Sequence, residues 1–456
     1  MEDYSRAPLL EVGCAAAKEE RWWKRVVVVD MEESKLQLVF ALPMILTNVL
    51  YYMITLVSVM FAGQLGLSGA LETLCGQAFG GKFYGKMGLH LQASCILSFF
   101  CSIIVSILWI YTEPMLVLLH QDPEISTMSA VYMKFLIPGL FAYGLLQNIL
   151  RFLQTQSVVM PLVFFSAVPM LIHIAIAYGL VHWTRLGFTG APLTASISLW
   201  ISCLILAIYV LKAKRFEKSW KGFSLEAFSY SFSSLKLAIP SAAMVCLEYW
   251  AVEVMVSLAG LMPNPKTTTS LIAMCDNTQT IAYMITYGLS AAASTRVSNE
   301  LRADNLDRAK TAMFATLKLS FLLPLLVVLA LAFGHTTWAS FFSNSTAIAD
   351  EFSSMVPLLA ISITLDSVQG AISGVARGCG WQHLAVYINL SSFYLVGVMM
   401  SILFWFKLRL YAKGLWIGYI CGLSLQNVCL VLLVLYAKWI KMDQSVNEVN
   451  DVPLLV

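Results

Sequence analysis

The stretch LHLQASCILSFFCSIIVSILWIY, residues 89–111, contains no Asp, Glu, Lys or Arg in 23 positions. A helix needs about 20 mostly apolar residues to cross a hydrocarbon core roughly 30 Å thick, so this stretch predicts a membrane span. Ten other stretches are long and apolar enough to do the same: 36–62, 129–150, 160–182, 189–211, 235–261, 270–293, 311–333, 350–375, 383–406 and 413–440. The chain is therefore predicted to be an all-α membrane protein with about eleven spans.

The composition agrees with a membrane protein and excludes several other classes. Of the 456 residues, 59% are hydrophobic and 12% are charged, and the mean hydropathy of +0.76 lies far above that of soluble domains. The net charge of +3 is too small to indicate a nucleic-acid surface. The sequence has no Walker loop, which disfavours ATP-driven transport. It has no nucleophile elbow and no metal-ligand spacing, so it favours neither an enzyme nor a metal site.

The distribution of Lys and Arg predicts which loops face the cytoplasm. Five basic residues between Lys212 and Lys221 form the most basic short connection, and the positive-inside rule places it in the cytoplasm. The loop at Lys82 falls on the same side. The resulting organisation is a cytoplasmic tail (1–35), an N-terminal lobe (36–211), a basic linker (212–234), a C-terminal lobe (235–440) and a second cytoplasmic tail (441–456).

A weak internal repeat relates the two lobes and is interrupted once. A shift of 197 positions places Pro43 on Pro240, whereas a shift of 222 positions is needed to place Thr73 on Thr295. The C-terminal lobe is therefore longer by 25 residues between these two pairs. Twenty-five helical residues rise roughly 37 Å, which is one membrane crossing.

The loop charges indicate the same missing segment. The N-terminal tail and Lys82 are both assigned to the cytoplasm, yet only one full span separates them. Chance matches between apolar runs are the alternative explanation of the two shifts, but they do not account for the charge pattern. We therefore predict an N-terminal lobe of five full spans plus a stub, one helix shorter than the six-span C-terminal lobe.

Seven short motifs occur in order along the chain. They are GLSGALETLCGQAFG at 66–80, FLQTQS at 152–157, EYWAVE at 248–253, PNP at 263–265, RVSNEL at 296–301, LDSVQG at 365–370 and GVARGCGWQ at 374–382. This set resembles the motifs of plant multidrug and toxic compound extrusion (MATE) transporters of the detoxification type. The sequence departs from the family pattern between Gly63 and Leu67, where the family has a full second helix that lines the N-terminal lobe.

The resemblance implies a fold and an activity. The implied fold has two six-helix lobes related by a pseudo-two-fold axis around a central cavity. The implied activity is secondary antiport, in which xenobiotics or secondary metabolites leave in exchange for protons, or for sodium ions. Its partners are a small organic substrate, the coupling proton and the lipid bilayer, with no nucleic acid and no cofactor beyond H+ or Na+. A monomer in the plasma membrane or the vacuolar membrane is expected.

Two carboxylates inside predicted spans are candidates for the coupling site. A charged carboxylate at the bilayer centre costs on the order of 3 kcal/mol, so Glu253 and Asp366 are functional candidates by default. Burial disfavours the ionised form of a carboxyl group, which lets such a group hold a proton until its surroundings open. A structural hydrogen bond is the alternative for each residue. The resemblance adds that acidic positions of the second lobe bind the coupling ion.

Other polar residues in the spans are candidates for the cavity wall. Tyr249 lies one helical turn from Glu253, Asn277 and Gln279 fall on the next span, and Asn48 falls on the first. Polar residues that merely join helices are the alternative.

Three further charged residues are predicted to serve the loops. Glu248 is about 140° around the helix from Glu253, so we expect it to pair with a basic loop. Glu72 and Arg296 are expected in cytoplasmic loops, where they pair with opposite charges.

Two other functions remain open at this point. The chain could be a transport-defective variant that has lost a helix, or a flippase of related architecture that takes a lipid-linked substrate.

Overall fold

The computed structural model describes residues 63–118, 123–158, 160–342 and 345–436, and within these ranges the chain is helical apart from turns and short connections. The helices are α1 (63–80), α2 (Tyr84–Ile110), α3 (Thr112–Leu118), α4 (Pro123–Thr155), α5 (Met160–His182), α6 (Gly190–Lys212), α7 (Glu226–Ala259), α8 (Pro265–Arg302), α9 (Leu306–Phe342), α10 (Thr346–Gly378), α11 (Gln382–Phe406) and α12 (Tyr411–Tyr436). Residues Leu390–Val398 of α11 are wound as a π-helix. The all-α prediction is confirmed.

Ten of the eleven predicted spans coincide with long helices. Eight helices in the described ranges are long and apolar enough to cross a membrane. The predicted span 36–62, the candidate Asn48 and the tails 1–35 and 441–456 lie outside the described residues.

Several helices are longer than the spans predicted for them. Helix α7 begins at Glu226 instead of 235, and α9 ends at Phe342 instead of 333. The difference arises because hydropathy detects only the apolar centre of a helix, whereas the backbone hydrogen bonds continue into its polar ends.

The segment predicted to be a stub and a loop is instead a buried helix. Residues 63–80 form α1, and Glu72 at its middle is fully buried, so the expectation that Glu72 occupies a loop is wrong. Arg296 lies within the last two turns of α8 and not in a loop, although it is exposed and 3.6 Å from Glu300 as expected of a paired charge. The ends of these two helices pack against each other where Gly76 and Gly80 meet Ser298 and Asn299, a contact that loop charges do not predict.

Glycines bring α1 into direct contact with the C-terminal lobe. A Cβ atom added at Gly66 would lie 2.5 Å from the Cα of Ala242 on α7, and one at Gly80 would overlap the carbonyl of Asn299 on α8. Small residues allow such backbone approach between membrane helices. Helix α1 therefore joins the two lobes along much of its length.

Several side-chain hydrogen bonds connect the lobes, and Thr73 and Asn299 make three of them at the end that carries residues 212–221, which we call the basic end. Thr73 Oγ1 donates to the Arg377 carbonyl at 2.7 Å and accepts from Gln382 Nε2 at 2.9 Å. Asn299 Nδ2 donates to the Thr155 carbonyl at 3.3 Å. Nearer the centre, Ser241 Oγ donates to the carbonyl of Gly66 at 2.6 Å. The lobes are thus closed against each other at the basic end.

We expect Gly80→Ala to disrupt this closure. The added methyl group meets backbone that cannot rotate away, so overpacking should lower the free energy of unfolding by about 1–3 kcal/mol. Gly288→Ala on α8 is the control, because nothing lies within 4 Å of its added Cβ. Detergent-titrated unfolding of both variants tests the expectation, and equal stabilities would contradict it.

Candidate functional site

A cavity lies between the lobes, next to α1. It encloses about 950 Å³, including the part that is open to solvent. Its charged and phenolic lining consists of Glu248, Glu253, Asp276, Asp366, Arg151, Arg377, Tyr249, Tyr283, Tyr287 and Tyr419. The lining thus combines four acidic groups, two basic groups and four tyrosines.

Helix α8 contributes one polar face to the cavity. Asp276, Gln279, Thr280, Tyr283 and Tyr287 line it, and their spacing of three and four residues places them on one side of the helix. This polar face explains why α8 is not among the eight apolar spans.

Asn277 lies outside the cavity. Its side chain is exposed and donates to the carbonyl of Ala273 at 2.9 Å. One residue along a helix is a rotation of about 100°, so Asp276 occupies the cavity wall and Asn277 points away. The placement predicted for Asn277 is therefore wrong, and Asp276 is the residue that the sequence reasoning missed.

Gln279 lies in the cavity wall as predicted, within a buried hydrogen-bond network. Its Oε1 accepts from Ser362 Oγ at 2.6 Å, and its Nε2 donates to the Tyr419 hydroxyl at 3.3 Å. Trp416 Nε1 donates to the same Ser362 hydroxyl at 3.1 Å. This network fixes the wall beside Asp366, whose side chain Gln279 also contacts.

Helix α10 places an acid and a base on the same cavity face. Asp366 is 5% exposed, and Arg377 lies eleven residues further on, which is about three turns of the same face. Arg377 Nη2 donates to Ser290 Oγ at 2.7 Å. The eleven-residue spacing between Asp366 and Arg377 indicates that both lie on one helix face, but the sequence analysis did not use it to select Arg377.

Helix α7 faces the cavity over about half of its circumference. Tyr249 and Glu253 line the cavity as predicted, and so does Glu248. The expectation that Glu248 pairs with a basic loop is wrong, because the cation that acts on it is Arg377 of the same cavity. The 140° between the two glutamates separates them on the helix but keeps both in this wide face.

The N-terminal lobe contributes a cation and small residues. Leu65, Gly66 and Gly69 of α1 and Arg151 of α4 line the cavity. Arg151 Nη1 lies 3.0 Å from a carboxylate oxygen of Glu72, and both side chains are at least 97% buried.

Arg151 also links the lobes, because its Nη2 contacts the hydroxyl of Tyr287 on α8. All four carboxylates of the cavity lining belong to the C-terminal lobe.

The cavity chemistry suits an organic cation and an exchangeable proton. Tyrosine faces attract cations, and carboxylates pair with them or hold a proton. No group of three or more His, Cys, Asp or Glu side chains within the described ranges could hold a metal ion.

The chain is similar to known transporters over most of its length. A family model described as MatE matches residues 52–179 and 240–403. Protein DETOXIFICATION 18 of Arabidopsis thaliana is 54% identical, over 92% of this chain and 94% of that protein. Protein DETOXIFICATION 17 of the same plant is 40% identical, over 92% and 94%.

Solved structures share the fold. The crystal structure of the eukaryotic MATE transporter AtDTX14 superimposes with a TM-score of 0.81 and 35% identity, covering 92% of this chain and 99% of that one. An outward-facing multidrug resistance MATE family transporter of the MOP superfamily superimposes with a TM-score of 0.74 at 16% identity, covering 85% of each chain, which supports the fold alone.

The alignment with DETOXIFICATION 18 is longer than the part of this chain that it covers. It extends over 442 positions, but 92% of the 456 residues of this chain is only about 420. The difference between 442 and 420 is about 22 positions of the alignment, at which the relative has a residue and this chain has a gap. This number is close to the 25 residues by which the internal repeat is interrupted.

Proposed function

The chain belongs to the MATE transporter family and is a multi-pass membrane protein, and we propose that it exchanges organic compounds for protons through the cavity between its lobes. The observation that carries this proposal is the convergence of Glu248, Glu253, Asp276 and Asp366 on one cavity. Four carboxylates in a space of this size repel one another when ionised, so protonation and binding of a cation are alternative ways to relieve the repulsion. Such competition is what an antiporter requires.

The proposed substrates are aromatic organic cations. Tyr249, Tyr283, Tyr287 and Tyr419 line the cavity, and the carboxylates of the lining outnumber the two arginines. Export across the plasma membrane or sequestration across the vacuolar membrane, by a monomer, completes the proposal. The proposed coupling ion is H+, because a carboxyl group that lines the cavity can take up a proton and release it again.

Efflux of norfloxacin from a drug-sensitive host tests the proposal. We expect cells that carry the chain to accumulate less norfloxacin than cells with an empty vector, and a protonophore should remove the difference. Equal accumulation at verified abundance of the chain in the membrane would refute transport, and efflux that follows a sodium gradient would refute proton coupling.

A second candidate function is that of a transport-defective form. It is favoured by the interrupted repeat and by the roughly 22 positions that occur only in the relative. Insertion of a 25-residue apolar helix after Gly63 distinguishes the candidates. If the unmodified chain transports, the inserted helix is dispensable, whereas transport by the restored version alone would establish the defective form.

A further inference from the structure

A second groove lies on the N-terminal lobe at the basic end, and it shares no lining residue with the central cavity. It offers about 1570 Å³, including its open part. Its lining consists of Leu91, Gln92, Cys95, Ile96, Phe99, Phe100, Leu145, Ile149, Ala207, Val210, Leu211, Trp220, Phe223, Ser224, Leu225 and Phe228. Helices α2, α4 and α6, the connection before α7 and the start of α7 therefore form its walls.

The walls are suited to a hydrocarbon chain. Gln92 and Ser224 carry the only amide and hydroxyl side chains of the lining. The Gln92 amide is already engaged, because its Nε2 donates to the Gly222 carbonyl at 2.9 Å and its Oε1 accepts from the Ser224 N–H at 2.9 Å. These bonds hold the linker against α2 and leave a surface that is mainly aliphatic and aromatic.

The size and position of the groove correspond to one leaflet of a bilayer. On α2 the lining runs from Leu91 to Phe100, nine steps that rise about 14 Å, which is close to half of a hydrocarbon core of roughly 30 Å. Phe223, Leu225 and Phe228 at the rim are 88%, 87% and 53% exposed. In a membrane protein such side chains at this depth face lipid.

A basic segment adjoins the groove in the sequence, between the lining residues Leu211 and Phe223. Residues 212–221 contain five Lys and Arg residues, all of them exposed, and one acidic residue, Glu217. Lys221 follows the lining residue Trp220, and its Nζ lies 3.5 Å from where a Cβ would stand on Gly85, at the start of α2. The ammonium group thus lies near the start of α2, six residues before the lining residue Leu91.

We propose that this groove binds an anionic phospholipid of the cytoplasmic leaflet. One acyl chain lies along Leu91 to Phe100, and the phosphate group lies near Lys218 and Lys221. Basic residues next to a membrane surface attract anionic headgroups, and basic pockets between helices on the cytoplasmic side select them over zwitterionic ones. The site is separate from the transport cavity and does not depend on the proposed function.

Native mass spectrometry of the full chain tests the proposal. The purified protein is delipidated and offered phosphatidylglycerol or phosphatidylcholine with the same acyl chains. We expect retention of one phosphatidylglycerol and poor retention of phosphatidylcholine. Lys218→Gln together with Lys221→Gln should weaken retention roughly 10-fold. Lys407→Gln together with Lys413→Gln is the matched control, because both of these lysines are exposed and lie outside the groove.

A pair of tryptophan variants tests the apolar part of the site. Ala207→Trp fills the groove and should abolish retention of the lipid, whereas Ile208→Trp, on the next residue and outside the lining, should retain it. Circular dichroism of each variant checks that its helices have formed.

The proposal would be overturned if the wild type retained phosphatidylglycerol and phosphatidylcholine equally. It would also be overturned if the Lys218/Lys221 and Ala207 variants retained phosphatidylglycerol as well as the wild type does. Observation of dimers without bound lipid would indicate that a second copy of the chain occupies the groove, and this result would overturn the lipid proposal as well.

Discussion

Asp366→Asn is expected to abolish proton-driven efflux, with a fall of at least about 100-fold in the initial rate. The asparagine side chain has the size of the carboxyl group, so it can keep the contact with Gln279, but it cannot take up or release a proton. Reconstituted vesicles with an imposed proton gradient measure the rate directly. Substrate-dependent proton movement in the same vesicles should disappear together with the efflux.

Asp350→Asn is the matched control for this variant. Asp350 lies on the same helix as Asp366 but is exposed and outside the cavity lining, so its replacement should leave the rate unchanged. If Asp366→Asn transported at the rate of the wild type, the coupling role would have to pass to Glu248, Glu253 or Asp276.

Arg151→Met is expected to destabilise the protein by about 3–5 kcal/mol. The replacement leaves the buried Glu72 carboxylate without its cation, and in the described part of the chain no other hydrogen-bond donor reaches that carboxylate. Breaking a buried ion pair from one side has a cost of this size. The measurement is the free energy of unfolding in mixed micelles.

Two controls distinguish loss of the pair from loss of a large side chain. Arg296→Gln removes the exposed partner of Glu300 and should change the stability by less than about 1 kcal/mol. The double variant Glu72→Gln with Arg151→Met should be less destabilised than the sum of the single variants. Strict additivity would show that Glu72 and Arg151 do not depend on each other.

The sequence predicted the helices well where hydropathy decides and poorly where polar packing decides. Apolar spans such as 160–182 coincide with helices because the bilayer imposes one length and one composition. Helix α1 was missed, since Glu72 and its polar neighbours resemble a loop until Arg151 of another helix neutralises the charge. Only the fold brings that partner into place.

The cavity residues also divide into those that the sequence predicted correctly and those that it did not. Asp366, Glu253, Tyr249 and Gln279 were selected because polar groups in apolar spans are rare, and all four line the cavity. Asn277 was selected for the same reason and points away, because composition alone does not fix the rotation of a helix. The three- and four-residue spacing of the polar residues from Asp276 to Tyr287 indicates which side of the helix faces the cavity. A helical wheel drawn from that spacing selects Asp276 in place of Asn277.

The backbone contact between α1 and the C-terminal lobe bears on how easily the two lobes can separate. Backbone meets backbone at Gly66 and Gly80, so separation of the lobes there releases no interdigitated side chains. The four hydrogen bonds that Thr73, Ser241 and Asn299 make between the lobes are worth about 0.5–1.5 kcal/mol each. Their sum is of the same order as the few kcal/mol that separate interconverting conformations. For the proposed antiport, uptake of one proton or of one substrate cation therefore has to supply only an energy of this order to part the lobes at the basic end.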